Sequence, residues 1–144
     1  MSTKKVAIAS DHAGVELKEV LKQELSDLGC TVFDLGPNDT ASVDYPDYAT
    51  KLTDWIKNNP DASGVLICGS GIGMSIAANR HKHIRAALVC TPEQAALSRQ
   101  HNNANVLCLG ARQIPEKTAR ECIKTFFTTT FEGGRHAGRV EKMS

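Results

Sequence analysis

The chain has 144 residues, 41% of them hydrophobic, and its 17 Lys and Arg residues nearly balance 16 Asp and Glu residues. This length suits one globular domain with a substantial core, and we treat residues 1–144 as a single domain. The near-neutral charge gives no indication of a nucleic-acid or membrane partner. The apolar runs are far shorter than the roughly 20 residues of a membrane span. The N-terminal apolar stretch is also too short for a secretory signal, so we expect a cytoplasmic protein.

The hydrophobic pattern alternates between strand-like and helix-like segments along the chain. In chain order, the predicted elements are a strand at 4–10, a helix at 15–28, a strand at 30–36, a helix from about 46, a strand at 64–68, a helix at about 73–80, a strand at 86–90, a helix at about 92–101, a strand at 105–110 and a helix at 115–129. In the first helix, Leu17, Leu21, Leu25 and Leu28 recur at helical spacing, and Gly29 ends it. These β–α units predict an α/β fold in which helices cover both faces of a parallel sheet.

Loops that follow the strands are the candidate site, because open parallel sheets bind ligands outside the carboxyl ends of their strands. The loop after the first strand carries Asp11 and His12, and the loop after the fifth carries Arg112. An Asp-His pair is more often a helix cap beside a surface imidazole, but a sheet edge shared with the third-strand loop favours function. Tyr45 most simply belongs to a helix start, although its ring can line a pocket.

The loop after the third strand, CGSGIGMS at 68–75, has three glycines in five residues. It departs from the dinucleotide fingerprint and lacks the Gly-Lys-Ser/Thr of a Walker A loop, so nucleotide binding is disfavoured. Backbone N–H groups at a helix N-terminus suit a phosphate or a transition-state oxyanion. Cys68 stands at the same positive end, where a thiol pKa can fall toward neutrality and a thiolate can abstract a proton beside a carbonyl. A buried cysteine before a tight turn explains the loop equally well.

Two later segments carry polar groups that suit a phosphorylated ligand. His101 lies near the C-terminus of a predicted helix, whose dipole favours an imidazolium, and Asn102 offers both a donor and an acceptor. If residues 133–140 are helical, Arg135 and Arg139 share one face and can clamp one phosphate. Taken alone, the His101 segment is better explained as an ordinary polar helix end, and the alternative for the arginine segment is a solvated basic tail.

The spacing of cysteines and histidines predicts no metal site. The five cysteines form no CxxC or CxH pair, which gives neither a disulfide framework nor a zinc site, and most suit small buried positions. The His81-Lys82-His83 segment has no third ligand near it in the sequence and is interpreted as a solvated loop. We likewise expect no cofactor.

Six motifs occur in order along the chain: SDHAG, SVDYPDYA, CGSGIGMSIAAN, SRQHNNANV, GAR and EGGRHAGRV. Together they resemble the sugar-phosphate isomerases of the ribose-5-phosphate isomerase B type, which are related to the galactose-6-phosphate isomerase subunits. The resemblance implies a three-layer α/β/α domain with a five-stranded parallel sheet of order 2-1-3-5-4. It also implies a homodimer or tetramer whose sites combine residues from two subunits and bind a small sugar phosphate.

The same resemblance implies roles for individual residues. Cys68 corresponds to the base that moves a proton between C1 and C2, and His101 to the acid that opens the furanose ring. Asp11 lies near the ring oxygen and hydroxyls, and Ser70 stands where the family has Ser or Thr. The amides that cradle the enediolate belong to Gly69, Ser70, Gly71, Ile72 and Gly73. The phosphate and sugar contacts belong to His12, Asn102, Arg112, Arg135 and Arg139, the last two in a C-terminal segment at about 131–144.

The implied reaction is the metal-independent interconversion of D-ribose 5-phosphate and D-ribulose 5-phosphate through a cis-enediolate. Some family members place a glutamate base six residues after the cysteine position, but Met74 stands there and cannot ionise. One alternative is a six-carbon substrate, allose 6-phosphate or galactose 6-phosphate. Another is a non-catalytic sugar-phosphate sensor. A thiol-redox role for Cys68 is disfavoured because no resolving cysteine is nearby in sequence.

Overall fold

The computed structural model describes residues 4–144, which form a five-stranded sheet between two layers of helices. The strands are β1 (Lys5–Ser10), β2 (Thr31–Asp34), β3 (Ser63–Cys68), β4 (Ala86–Leu88) and β5 (Val106–Gly110). They lie in the order β2-β1-β3-β5-β4, and each neighbouring pair is parallel. The predicted α/β class and strand order are therefore confirmed.

The helices of residues 4–144 are α1 (Val15–Asp27), α2 (Tyr45–Lys57), α3 (Ile72–Ala78), α4 (Pro92–Gln100), α5 (Glu116–Thr128) and α6 (Arg135–Met143). A 3₁₀ turn at His12–Gly14 joins β1 to α1. Helices α1, α4 and α5 pack on one face of the sheet, and α2 and α3 pack on the other. The helix considered for the C-terminal arginines is confirmed as α6. Within the described range, no helix is long and apolar enough to cross a membrane.

The central strand β3 is buried along its whole length. Val65 and Ile67 belong to the hydrophobic cluster beneath α1 and α5, whereas Leu66 and Cys68 belong to the cluster beneath α2 and α3. Successive side chains of a strand point to opposite faces, so both faces of β3 are covered. This explains why its sequence is a continuous apolar run rather than an alternating one.

The edge strand β4 is shorter than the predicted 86–90 and ends at Leu88. Two residues further on, the Cys90 N–H donates to Gln94 Oε1 at 2.7 Å. An edge strand is paired with a neighbouring strand on one side only, so fewer hydrogen bonds hold its end in the sheet. The chain therefore leaves β4 early, and its backbone bonds to α4 instead.

One buried position of α1 is not apolar. Lys18 is fully buried, and its Nζ donates to Asp34 Oδ1 and to the Pro37 carbonyl, both at 2.6 Å. Lys22 Nζ donates to the other oxygen of Asp34 at 2.9 Å. A buried ammonium requires such partners, and here they fasten α1 to the segment between β2 and α2.

Candidate active site

A cavity of about 580 Å³ opens where the carboxyl ends of β1, β3 and β5 meet. Backbone bonds hold the three loops together: the Asp11 N–H donates to the Ile67 carbonyl at 3.0 Å, and the Arg112 N–H donates to the Gly69 carbonyl at 2.9 Å. We call this the carboxyl-edge cavity. Its lining residues are Asp11, Tyr45, Cys68, Gly69, Ser70, Ile72, Gly73, Ile76, Arg112 and Gln113.

The sulfur of Cys68 lies at the base of the carboxyl-edge cavity, and the residue is only 5% exposed. Its Sγ accepts a hydrogen bond from the Gly71 N–H at 3.1 Å. Gly71 has a φ of 81°, and a Cβ there would lie 2.5 Å from the Leu88 side chain, so glycine is required. The tight turn therefore aims an N–H donor at the sulfur, an arrangement that suits an anionic acceptor.

The glycine loop passes directly into the first turn of α3, where N–H groups have no intrahelical acceptor. The Ile72 N–H donates to Ser70 Oγ at 3.2 Å. A Cβ at Gly73 would lie 2.5 Å from the Tyr45 ring. The absence of a side chain at position 73 thus lets the Tyr45 ring pack against the start of the helix and line the cavity.

Asp11 and His12 follow β1 directly and are held by backbone donors. Asp11 Oδ1 accepts from the Ala13 N–H at 2.9 Å, so this carboxylate caps the 3₁₀ turn while it lines the cavity. His12 Nδ1 accepts from the Val43 N–H at 3.2 Å. With Nδ1 as the acceptor, a neutral His12 carries its proton on Nε2, which becomes a donor for a ligand.

The other predicted site residues lie at the opposite edge of the sheet, near the ends of α4 and α6. His101 caps the C-terminus of α4, and Asn102 follows it just before β5 begins. The five residues of β5 separate the two sheet edges by roughly 13 Å. We call His101, Asn102, Arg135 and Arg139 the α4–α6 group. None of them lines the carboxyl-edge cavity of the same chain.

His101 is packed against residues that the sequence did not single out. Its ring stacks on that of His136, with centroids 4.3 Å apart and planes 15° apart. The Nε2 atoms of His101 and His136 lie 3.8 Å and 3.7 Å from Glu132 Oε1. Burial of the ring and the neighbouring His101 lower the pKa of His136, against the opposing effect of Glu132.

The two arginines of α6 are exposed and lie one helical turn apart. Among residues 4–144, neither Arg135 nor Arg139 forms a salt bridge, so both guanidinium groups are available to an anion. A pair of this kind suits a phosphate, which accepts several charged hydrogen bonds at once.

Four residues at these sites were absent from the sequence-based set. Ile76 and Gln113 line the carboxyl-edge cavity, and Glu132 and His136 surround His101. Ile76 lies one turn after Ile72, a spacing that could have indicated a shared face. The contact of His136 with His101 has no such signal, because the two residues are far apart in sequence.

Comparison with known proteins gives one consistent family. A family model described as Ribose/Galactose Isomerase matches residues 6–143. The structure of ribose 5-phosphate isomerase B from Anaplasma phagocytophilum is similar, with a TM-score of 0.93 and 55% identity over 100% of this chain and 99% of that one. The structure of ribose-5-phosphate isomerase B from Mycoplasma genitalium, solved with bound ribulose-5-phosphate, has a TM-score of 0.94 and 43% identity over 99% of this chain and 95% of that one. Ribose-5-phosphate isomerase B of Escherichia coli K12 is 39% identical over 141 residues, which are 98% of this chain and 95% of that one.

Proposed function

This chain belongs to the ribose/galactose isomerase family, and from that premise we propose that it interconverts D-ribose 5-phosphate and D-ribulose 5-phosphate. The observation that carries the proposal is the carboxyl-edge cavity, in which Cys68 Sγ, a glycine-rich helix start and Arg112 face one space. An aldose–ketose isomerase requires a base beside the carbonyl, donors for the developing oxyanion and a cation for the phosphate.

Cys68 is the proposed base. Its thiolate removes the C2 proton of the open-chain aldose and returns a proton to C1, while a hydroxyl proton passes from O2 to O1. The Gly71 N–H already points at the sulfur, which supports an anionic role. Met74, at the position where some relatives carry a glutamate, is fully buried in the hydrophobic cluster beneath α2 and α3. It offers no alternative base.

The enediolate oxygens are proposed to meet the N–H groups of residues 69–73, with Ser70 beside them. Negative charge that develops near a helix N-terminus is stabilised by fixed dipoles, which need no reorganisation during the reaction. The route transfers only protons, so this proposal includes no metal and no cofactor.

The remaining roles require a second copy of the chain, because the α4–α6 group does not reach its own cavity. We infer that, in a homodimer, the α4–α6 group of one subunit faces the carboxyl-edge cavity of the other. Ile72 and Ile76 support this contact, since they are 53% and 57% exposed on the face of α3 that lines the cavity. Exposed apolar residues beside a polar cavity suit a surface that associates.

In the assembled site, His101 is proposed to protonate the ring oxygen and open the furanose, with Asp11 close to the same oxygen. Arg112 and His12 Nε2 would bind the phosphate from one side, and Arg135 and Arg139 from the other. Tyr45 and Asn102 would contact the sugar. The cavity of about 580 Å³ also has room for a six-carbon sugar phosphate, so both substrate sizes belong in the test.

The test is the rate of ribose 5-phosphate and ribulose 5-phosphate interconversion by the wild type, Cys68→Ala and Cys90→Ala, with and without a chelator. We expect chelator-resistant activity that falls by at least ~10²-fold in Cys68→Ala. Cys90 is exposed and outside the cavity, so Cys90→Ala is the matched control. A fully active Cys68→Ala protein would remove Cys68 from the mechanism.

Two other results would change the substrate or the function. Faster turnover of allose 6-phosphate or galactose 6-phosphate would replace the pentose by a six-carbon substrate. Tight binding of each sugar phosphate without turnover would replace the isomerase by a sensor.

A further inference from the structure

Three side chains that approach one another beside α4 have the composition of a transition-metal site. One coordinating atom from each of His101, Glu132 and His136 lies within 4.8 Å of the others. The Nε2 atoms of both imidazoles approach the same carboxylate oxygen, Glu132 Oε1, at 3.8 Å and 3.7 Å. Two imidazoles and one carboxylate suit Zn²⁺ and related dications rather than Mg²⁺ or Ca²⁺.

The distances are close to those of a filled site. Zn–N bonds of about 2.0–2.1 Å and Zn–O bonds of about 2.0–2.2 Å at a tetrahedral angle separate nitrogen from oxygen by roughly 3.3 Å. Each observed nitrogen–oxygen distance therefore needs to shorten by only about half an ångström. Because the rings are stacked with planes 15° apart, they must also turn relative to one another before their nitrogen lone pairs converge on one ion.

Backbone contacts hold the three residues in place. The Glu132 N–H donates to the Gln100 carbonyl at 3.1 Å, which fixes the glutamate beside the end of α4 that carries His101. The His136 N–H donates to the Gly133 carbonyl at 3.0 Å, so the ring projects from the first turn of α6. Glu132 and His136 are thus held near His101 before an ion binds, so less conformational entropy is lost on binding.

The site is also open on one side and carries uncompensated charge. The side chains of Glu132 and His101 are 52% and 39% exposed, whereas that of His136 is 11% exposed. Within residues 4–144, Glu132 has no Lys or Arg within salt-bridge distance. Three protein ligands with an exposed side leave a fourth position for water, and a dication would neutralise the carboxylate.

We propose that His101, Glu132 and His136 bind Zn²⁺ or a similar transition-metal dication, and that the bound ion inhibits the enzyme by occupying His101 Nε2. The proposed metal binding, which we call the binding half, is supported by this cluster of side chains alone. The inhibition half rests on the proposed function, in which the same imidazole opens the sugar ring. Metal at this site therefore opposes the reaction rather than supporting it.

Binding is tested without any activity measurement. Calorimetric titration with Zn²⁺ and visible absorption with Co²⁺ are applied to a Cys90→Ser chain and to its Glu132→Gln, His136→Gln and His81→Gln derivatives. His81→Gln is the matched control, because it also removes one imidazole from a pair of neighbouring histidines: the centroids of the His81 and His83 rings are 6.0 Å apart. We expect one ion per chain and at least ~10-fold weaker binding in the Glu132 and His136 variants alone.

Unchanged affinity in both of those variants would place the ion elsewhere and overturn the proposal. Inhibition is then measured as the Zn²⁺ concentration that halves each variant's own metal-free rate. This concentration should be at least ~10-fold higher for Glu132→Gln than for the parent chain. Binding without inhibition of an active enzyme would overturn the inhibition half. Glu132-dependent binding by a chain with no isomerase activity would uphold the metal site while rejecting the proposed function.

Discussion

The N–H of Gly71 donates to the Sγ of Cys68 at 3.1 Å, and the turn that makes this bond possible has a φ of 81° at Gly71. The proposed base and its donor therefore depend on one backbone conformation. A Cβ at position 71 would meet the Leu88 side chain at 2.5 Å and the Leu109 backbone at 2.9 Å.

Gly71→Ala is expected to displace the loop and lower kcat strongly, because the sulfur loses its donor. The strain should also cost roughly 1–3 kcal/mol of unfolding free energy. Gly29→Ala is the control: its φ is 86°, but nothing lies within 4 Å of the added Cβ. It should lose about 1–2 kcal/mol while the folded protein keeps its activity. Urea denaturation and steady-state kinetics of both variants test this, and a fully active Gly71→Ala enzyme would contradict it.

The proposed division of the site between two subunits is tested by mixing inactive variants. Cys68→Ala and His101→Ala chains, unfolded and refolded together, should regain about a quarter of wild-type activity, because half of the dimers are mixed and each contains one intact site of two. Cys68→Ala mixed with Arg112→Ala is the control, since both changes affect the same cavity and leave no intact site. Recovery in that control, or none in the first mixture, would contradict the shared site.

The cysteines should differ in reactivity at neutral pH. Burial raises the pKa of Cys108 far above the ordinary thiol value, and burial with neighbouring Cys90 raises the pKa of Cys122 to about 11. Iodoacetamide should therefore modify exposed Cys90 and cavity-lining Cys68 but not Cys108 or Cys122. Peptide mass spectrometry measures the labelling, and ribose 5-phosphate should protect Cys68 while Cys90 still reacts. Labelling of Cys108 in the native protein would refute the assignment.

The Lys18–Asp34 pair should make stability depend on pH. Although burial opposes ionisation of Asp34, hydrogen bonds from Lys18 and Lys22 hold the pKa of its carboxyl below the ordinary value. A carboxyl with a depressed folded-state pKa contributes stability that is complete above its unfolded pKa of about 4 and is lost as the pH falls through the folded pKa. Asp34→Asn should thus destabilise the protein most at pH 7.

The expected loss is on the order of 2 kcal/mol, below the about 3–5 kcal/mol of fully buried pairs, because Asp34 is partly exposed and Lys22 stays nearby. Denaturant midpoints at pH 7 and at successively lower pH should converge for the wild type and Asp34→Asn. Asp54→Asn, at an exposed aspartate of α2, serves as the control with a small effect throughout. A difference that stays constant or grows as the pH falls below about 4 would be inconsistent with this ion pair.

Hydrophobic periodicity was sufficient to predict the fold class, because it indicates which side of each segment faces the core. The continuous run of β3 predicted a strand covered on both faces, and the ordered motifs predicted the strand order through the family resemblance. The loop after β3 was identified as the centre of the site for a related reason. Three closely spaced glycines and a cysteine at a strand end are a local pattern, and parallel strands bring such ends to one edge.

Contacts between distant segments were decided only by the tertiary structure. The leucine spacing of α1 gave no indication that Lys18 is buried, because the partners that permit its burial, Asp34 and the Pro37 carbonyl at 2.6 Å from its Nζ, come from a distant segment. The sequence placed His101 and the arginines in separate segments, and the tertiary structure brought Glu132 and His136, which lie just before and within the first turn of α6, to the same imidazole. Periodicity determines which side of an element is buried, whereas the distance between two polar side chains depends on how whole elements pack.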